Sequence, residues 1–384
     1  MSAVPHHVSA IATLPAPFVL ESGAVLPELH LAYESYGKLS PNRDNVILVC
    51  HALTGSAAAA GVGPDGRAGW WAGLIGPGNA LDTGRYHIIC SNIIGSCYGS
   101  TGPGSINPET GVPYGHSFPA LTIRDMVRAQ RLLLNHLEIP RLHCAVGGSM
   151  GGMQVLEWAL LFPDDVDLLI PIATAAQHSA WALAFNAIAR EAIALGQAAG
   201  DVSAGLRLAR KVAMMTYRSS QEFAERFGRT RSNPNSAPQP DGTFAVESWL
   251  EHHGRQLAGR FTPESFNAIT RAMDRHDVAH GRGTLPQVLG SIAQPTLCVG
   301  IGSDVLYPPQ EQQQIARLIP NARYAQVHSP CGHDAFLIEF NQMQTIVGDF
   351  LEAAHWPRQK PRQSQPQSHR SSTAVNRTNN TLPA

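Results

Sequence analysis

Short apolar runs rich in β-branched residues punctuate the chain, most clearly Asn45–Cys50, Tyr86–Cys90, Leu142–Val146, Leu168–Ile172 and Thr296–Ile301. Runs of this length and composition predict strands. Between several of them the apolar positions change to helical spacing. Residues 122–137 place an amphipathic helix with Thr122 available as its N-cap, and Met150–Leu161 reads as a second helix. Alternating strand and helix units predict a fold of the α/β class: a mainly parallel sheet with helices on both faces. From about residue 175 to 289 the pattern becomes alanine-rich and helical, over Ala180–Ala199, Gly205–Tyr217, Phe244–Leu257 and Pro263–Met273, with no strand-like run among them. The chain therefore divides into a catalytic core, residues 15–174 and 290–356, and a helical insertion at 175–289. Arg229–Gly242 reads as a loop inside the insertion. The polar tail, 357–384, carries almost no apolar residues and is expected to be disordered.

Composition narrows the function classes. With 43% hydrophobic and 15% charged residues and a formal net charge of -1, the chain can build a large core and has no electrostatic footprint for nucleic acid. The start, MSAVPHHVSA, lacks a basic stretch leading into an apolar one, and no run is long enough to span a bilayer. A cytoplasmic protein with no membrane partner is the expectation. Six cysteines without C-x-x-C pairs read as free thiols, and the absence of H-E-x-x-H leaves no metal motif. Gly61, Gly63 and Gly66 match a dinucleotide fingerprint in spacing only, because Pro64 and an alanine run replace the strand and helix that the motif needs.

The segment Leu142–Gln154 carries the chemistry. An apolar strand runs directly into Gly147-x-Ser149-x-Gly151 and then a helix. A serine on such a turn is a nucleophile elbow, and its small neighbours let strand and helix backbones approach. Serine needs a base, and the base needs an acid to hold its tautomer. In this architecture the order is Ser, Asp, His, and the sequence supplies Asp304 after the strand at 296–301 and His333 in the loop after Tyr324–His328. The amide of Met150, following the serine, is one candidate oxyanion donor. The loop His51–Gly55, after an earlier strand, offers Leu53 as the second.

Beyond the triad, several segments resemble the homoserine O-acetyltransferase family of methionine biosynthesis, which has the α/β-hydrolase fold. They are HALTG (His51–Gly55), GPGNALDT (Gly76–Thr83), SNIIGSCYGSTGPGSINPETGVPYG (Ser91–Gly115), FPALTIRDMV (Phe118–Val127), GGSMGGMQ (Gly147–Gln154), TYRS (Thr216–Ser219), SDVLYPP (Ser303–Pro309) and GHDAFL (Gly332–Leu337). The resemblance implies an acyl-serine ping-pong reaction with acetyl-CoA as co-substrate, no bound cofactor, L-homoserine as acceptor, a tunnel under the helical insertion, and a homodimer. It also implies that Arg218 takes the homoserine carboxylate and Asp334 its amino group, opposite charges held apart. In succinyl-using relatives an arginine lies two positions after the catalytic aspartate. Here that position is Leu306, which cannot pair with a buried carboxylate. Succinyl transfer, serine as acceptor and simple ester hydrolysis stand as the alternatives. Cys331, where relatives often carry tyrosine, and the apolar stretch Ser56–Ala60 depart from the family pattern.

Overall fold

The computed structural model describes residues 6–63, 66–232 and 243–353. Its centre is an eight-stranded sheet of β1 (Val8–Leu14), β4 (Leu29–Tyr36), β5 (Val46–Cys50), β8 (His87–Ser91), β9 (Leu142–Gly148), β10 (Val166–Ile172), β11 (Thr296–Ile301) and β12 (Ala322–Val327). Two small ribbons, β2 (Phe18–Val19) with β3 (Val25–Leu26) and β6 (Ile75–Gly76) with β7 (Leu81–Asp82), lie outside it. The order is β1-β4-β8-β5-β9-β10-β11-β12. The first two pairings are antiparallel and the remainder parallel. Each predicted strand is present within two residues of its expected bounds. The parallel interior strands are buried along nearly their whole length, which is why their sequences carry no polar alternation.

The expected start of the core at residue 15 is corrected. Strand β1 begins at Val8 and pairs along its length with β4. Both were missed because their sequences break the alternation that one solvated face usually produces: on β1 the exposed positions include the apolar Val8 and Ile11, and on β4 the buried ones include the polar Ser35.

Helices α1 (Ile123–His136) and α2 (Met150–Leu161) match their sequence patterns. Thr122 caps α1 by accepting from the Asp125 amide, and Asp125 reaches back to the Thr122 amide, a reciprocal capping box. Helices α9 (Pro309–Leu318) and α10 (Phe340–Ala353) follow β11 and β12. Between β10 and β11 come α3 (Ala180–Ala198), α4 (Val202–Tyr217), α5 (Ser220–Arg226), α6 (Ala245–Ala258) and α7 (Pro263–Asp274), with no named strand among these described residues. The short helix α8 (Leu285–Gly290) lies inside the expected insertion. However, its Val288 and Leu289 are buried with strand residues such as Leu169 and Cys298, so the last turn of that segment belongs to the core. Residues 233–242 of the expected loop, and the tail from 357, lie outside the described residues. No helix of the described residues is long and apolar enough to cross a membrane.

The chain lays β8 on one side of β5 and then returns to lay β9 on the other. Loops leaving the carboxyl ends of β5 and β9 therefore diverge at a switch point, where an open parallel sheet leaves a crevice.

Candidate active site

Ser149 sits between β9 and α2 with φ 59° and ψ −125°. That left-handed conformation is unfavourable for any residue with a Cβ and persists only where the surroundings hold it. They do so from both sides: the Ser149 amide donates to Ile172 O at 2.9 Å and Thr174 Oγ1 donates to Ser149 O at 2.8 Å. Gly151 explains the close approach of α2 to the end of β5, since a Cβ there would stand 2.0 Å from Cys50 O. This contact brings the loop His51–Gly55 beside the nucleophile.

That loop is fixed from within. Ile93 N–H donates to His51 Nε2 at 3.2 Å, so the ring proton is on Nδ1, which donates to Ala52 O at 2.8 Å. Burial draws the His51 pKa down to about 4, keeping the ring neutral as this pairing requires. Behind it, Trp158 Nε1 donates to Gln130 Oε1, Gln130 Nε2 donates to Gln154 Oε1, both at 2.7 Å, and Gln154 Nε2 donates to His51 O and Met150 O, both at 3.3 Å. The Leu53 and Met150 amides donate to no other group among the described residues.

Asp304 and His333 are joined as expected. His333 Nδ1 donates to Asp304 Oδ2 at 2.6 Å, and the Leu306 and Tyr307 amides donate to Asp304 Oδ1 at 2.8 and 2.9 Å. Both side chains are buried. Burial alone lowers an imidazole pKa. At His333 the Asp304 carboxylate and its hydrogen bond outweigh that, helped by Asp334, and the pKa lies above the ordinary value. The Ser149 hydroxyl shares a narrow cavity of about 30 Å³ with Leu53, Leu306, Tyr217 and Tyr307. The rings of Tyr217 and Tyr307 pack on the His333 imidazole, with centroids at 5.9 and 5.4 Å. Ser149 Oγ makes no hydrogen bond among the described residues, so the nucleophile–base bond is not formed in this geometry; such contacts commonly tighten only on the substrate complex.

Arg218 and Asp334 depart from expectation. Rather than being held apart, Arg218 Nε lies 3.1 Å from Asp334 Oδ2, and Arg218 Nη1 donates to Glu222 Oε1 at 2.9 Å. The reason is backbone packing. Gly332, at φ 65°, admits the Arg218–Ser219 backbone so closely that a Cβ would meet Arg218 C at 2.7 Å, and Ser219 Oγ donates to Pro330 O. The end of α4 is thereby clasped to the histidine loop. Burial raises the Asp334 pKa, with Arg218 opposing.

Sequence reasoning did not single out Tyr217, Tyr307, Glu222, His178 or Asn186. The two tyrosines lie inside the segments TYRS and SDVLYPP, so a signal existed for them. His178 lines the cavity beside Asn186, which donates to Asp274 Oδ1 at 2.8 Å, and nothing in its local sequence marks it.

A family model described as the alpha/beta hydrolase fold matches residues 45–340. A homoserine O-acetyltransferase of Moorella thermoacetica is 50% identical over 347 residues, 87% of this chain and 93% of its own length. The chain belongs to the homoserine O-acetyltransferase family. Among solved structures, a homoserine O-acetyltransferase from Bacillus anthracis superposes with a TM-score of 0.84 at 28% identity, covering 91% of this chain and 98% of that one. An acetylester hydrolase from Corynebacterium glutamicum superposes at 0.77 with 25% identity, covering 90% and 96%. Within the homoserine O-acetyltransferase family, then, the α/β-hydrolase architecture expected from the sequence holds, and it is shared with esterases.

Proposed function

We propose that this protein transfers an acetyl group from acetyl-CoA to the hydroxyl of L-homoserine, a step of methionine biosynthesis, in the cytoplasm. Ser149 Oγ attacks the thioester carbonyl while His333 Nε2 takes its proton, and Asp304 holds the imidazole and stabilises its charged form. The Leu53 and Met150 amides receive the developing oxyanion. The tetrahedral intermediate collapses, the carbon–sulfur bond breaks, and His333 returns the proton to the departing CoA sulfur. Homoserine then enters. His333 takes the proton from its hydroxyl, the hydroxyl oxygen attacks the acetyl carbonyl, and Ser149 leaves with the proton restored.

Arg218 and Asp334 supply opposite charges for the acceptor's carboxylate and amino group. Their mutual contact at 3.1 Å means that homoserine must insert between paired groups, each exchanging one ionic partner for another. The narrow cavity and Leu306, buried against the nucleophile's surroundings, favour a two-carbon acyl group over a charged succinyl group. Exposed Trp181, Ile188 and Leu195 recur at seven-residue spacing on α3, with Leu208 and Met215 likewise on α4, an apolar stripe suited to a homodimer formed through these helices.

The observation that carries this reading is the strained Ser149 opening into the cavity whose tyrosines pack on the Asp304-held His333. Intact mass spectrometry after mixing with acetyl-CoA is expected to show one added acetyl group that disappears on adding homoserine. No gain in mass, or undiminished CoA release by Ser149→Ala, would refute it. The likeness to an acetylester hydrolase favours one second reading, hydrolysis. In that case the acetyl group is lost to water at the same rate with and without homoserine.

A further inference from the structure

Behind the nucleophile's cavity a row of polar groups runs from the helical insertion to the triad. Arg190 Nη2 of α3 lies 2.6 Å from Asp274 Oδ2 at the end of α7, and Asp274 Oδ1 accepts from Asn186 Nδ2 of α3 at 2.8 Å. The same Asn186 nitrogen is 3.3 Å from His178 Nε2, and His178 Nδ1 is 3.5 Å from Tyr307 Oη. His178 and Tyr307 are both buried. Tyr307 then reaches both the acid and the base: its amide donates to Asp304 Oδ1 at 2.9 Å, and its ring packs on the His333 imidazole with centroids 5.4 Å apart. The acyl-transfer steps give no task to His178, Asn186, Arg190 or Asp274.

What each group can donate fixes the direction of the row. The Asp274 carboxylate, paired with Arg190, only accepts, and a turned Asn186 amide would set its oxygen against that carboxylate. The Asn186 nitrogen therefore faces Asp274 and gives its second hydrogen to His178 Nε2, which at 4.0 Å from Asp274 Oδ1 is beyond hydrogen-bond reach of the acid itself. Burial draws the His178 pKa down to about 4, so the ring is neutral and its one proton is on Nδ1, directed at Tyr307 Oη. That contact is long, and edge-to-face packing of the two rings, centroids 5.9 Å apart at 77°, reinforces it. An imidazole held through Nδ1 alone can still tilt about that bond and carry Nε2 off the line to Ser149, and misplacement of a reacting group by about 1 Å can cost about a hundredfold in rate. A ring packed on its face, and itself tethered at the far end, removes this freedom.

We propose that His178 is a positioning residue: donating from Nδ1 to Tyr307 Oη, it locks the Tyr307 ring against His333, so that α3 and α7 of the insertion set the orientation of the base. This rests on the acyl-serine reading above, in which His333 is the base of both half-reactions.

The test reads two single turnovers of the full chain by rapid quench: acetylation of Ser149 by acetyl-CoA, and discharge of the acetyl-enzyme to L-homoserine. His178→Gln keeps a nitrogen at the place of Nε2, and His178→Asn keeps one at the place of Nδ1, although glutamine is nearer to histidine in size. His178→Gln is expected to slow both half-reactions by about tenfold, the order that one intramolecular hydrogen bond supplies, and by the same factor, with the half-saturating concentrations of acetyl-CoA and homoserine unchanged. Tyr307→Phe, which deletes only the phenol oxygen, should match that loss, and adding His178→Gln to it should cost nothing further. His178→Asn should recover most of the rate, whereas a residue that merely fills space would rank the two the other way. Rates unmoved by His178→Gln, additive losses in the double variant, or asparagine slower than glutamine overturns the proposal; so does slowing confined to the homoserine step, which would make His178 an acceptor contact. Should the His178 variants fail to fold, Tyr307→Phe decides alone: equal slowing of both half-reactions supports the proposal and undiminished rates overturn it. A parent that forms no acetyl-enzyme refutes the proposed function, and this proposal with it, whereas a parent that does so with indifferent variants refutes this proposal only.

Discussion

Replacing Asp304 by Asn tests the chemistry most directly because the structure separates its two jobs. Asp304 Oδ1 accepts the Leu306 and Tyr307 amides, at 2.8 and 2.9 Å, and the asparagine oxygen can keep both. Oδ2 accepts the His333 Nδ1 proton at 2.6 Å, and the asparagine amide, a donor, cannot. The imidazole then presents an unprotonated Nδ1 to that donor and carries its proton on Nε2, the atom that must accept from Ser149. In a serine triad this exchange costs about 10,000-fold in rate, about 5 kcal/mol of transition-state stabilisation. Rapid-quench measurement of acetyl-enzyme formation should show that loss, with circular dichroism unchanged. The pH profile gives an independent check. The His333 pKa is raised, and only the neutral ring is a base, so activity in the parent should fall as pH drops through a midpoint above about 6.5. Without the carboxylate, burial dominates and the acid limb should move to lower pH. If Asp304→Asn retains more than a tenth of the parent's acylation rate, the assignment of His333 as a base oriented by Asp304 is wrong.

Three further outcomes follow from the geometry. Gly151→Ala forces a methyl group to within 2.0 Å of Cys50 O, so α2 must shift from β5; a loss of about 1–3 kcal/mol in a denaturant melt is expected, and a stabilised variant would contradict the close-approach argument. Gln130→Leu strands the Trp158 Nε1 donor and one partner of Gln154 in a fully buried network, with an expected cost of about 2–4 kcal/mol, and a cost below about 1 kcal/mol would mean that the network contributes nothing to stability. Burial, then the charge of Asp304, lifts the Glu311 pKa to about 7 against the opposing Ser179 hydrogen bond. Between the unfolded value near 4.5 and that value the folded state holds a proton that the unfolded chain has lost, so stability falls as pH rises through this window. Thermal melts of Glu311→Gln and its parent should therefore diverge in the variant's favour from pH 5 to pH 8, and an equal difference at both would refute the titration.

Whatever depends on local pattern could be read from the order of residues alone. Buried parallel strands such as β5 and β11 announce themselves as unbroken apolar runs, α1 carries its own capping box, and Ser149 needs small neighbours written beside it. Asp304 and His333 were legible because chain order and strand ends constrain them, without any knowledge of distance. What depends on juxtaposition was not legible. The strands β1 and β4 alternate too irregularly to be seen, with Val8 and Ile11 exposed and Ser35 buried, and α8 could be placed in the core only once its partners were known. Arg218 and Asp334, more than a hundred residues apart in the chain, looked like separate charges. Only the approach of Gly332 to the Arg218 backbone put them in contact. The row from Arg190 through Asp274, Asn186 and His178 to Tyr307 has no sequence signature either, because its members come from elements that only the folded chain brings face to face. Patterns with the period of a helix or a strand report which face a residue shows to its own element. The free energy of a paired charge or a shared cavity is set by what the tertiary structure places opposite that face.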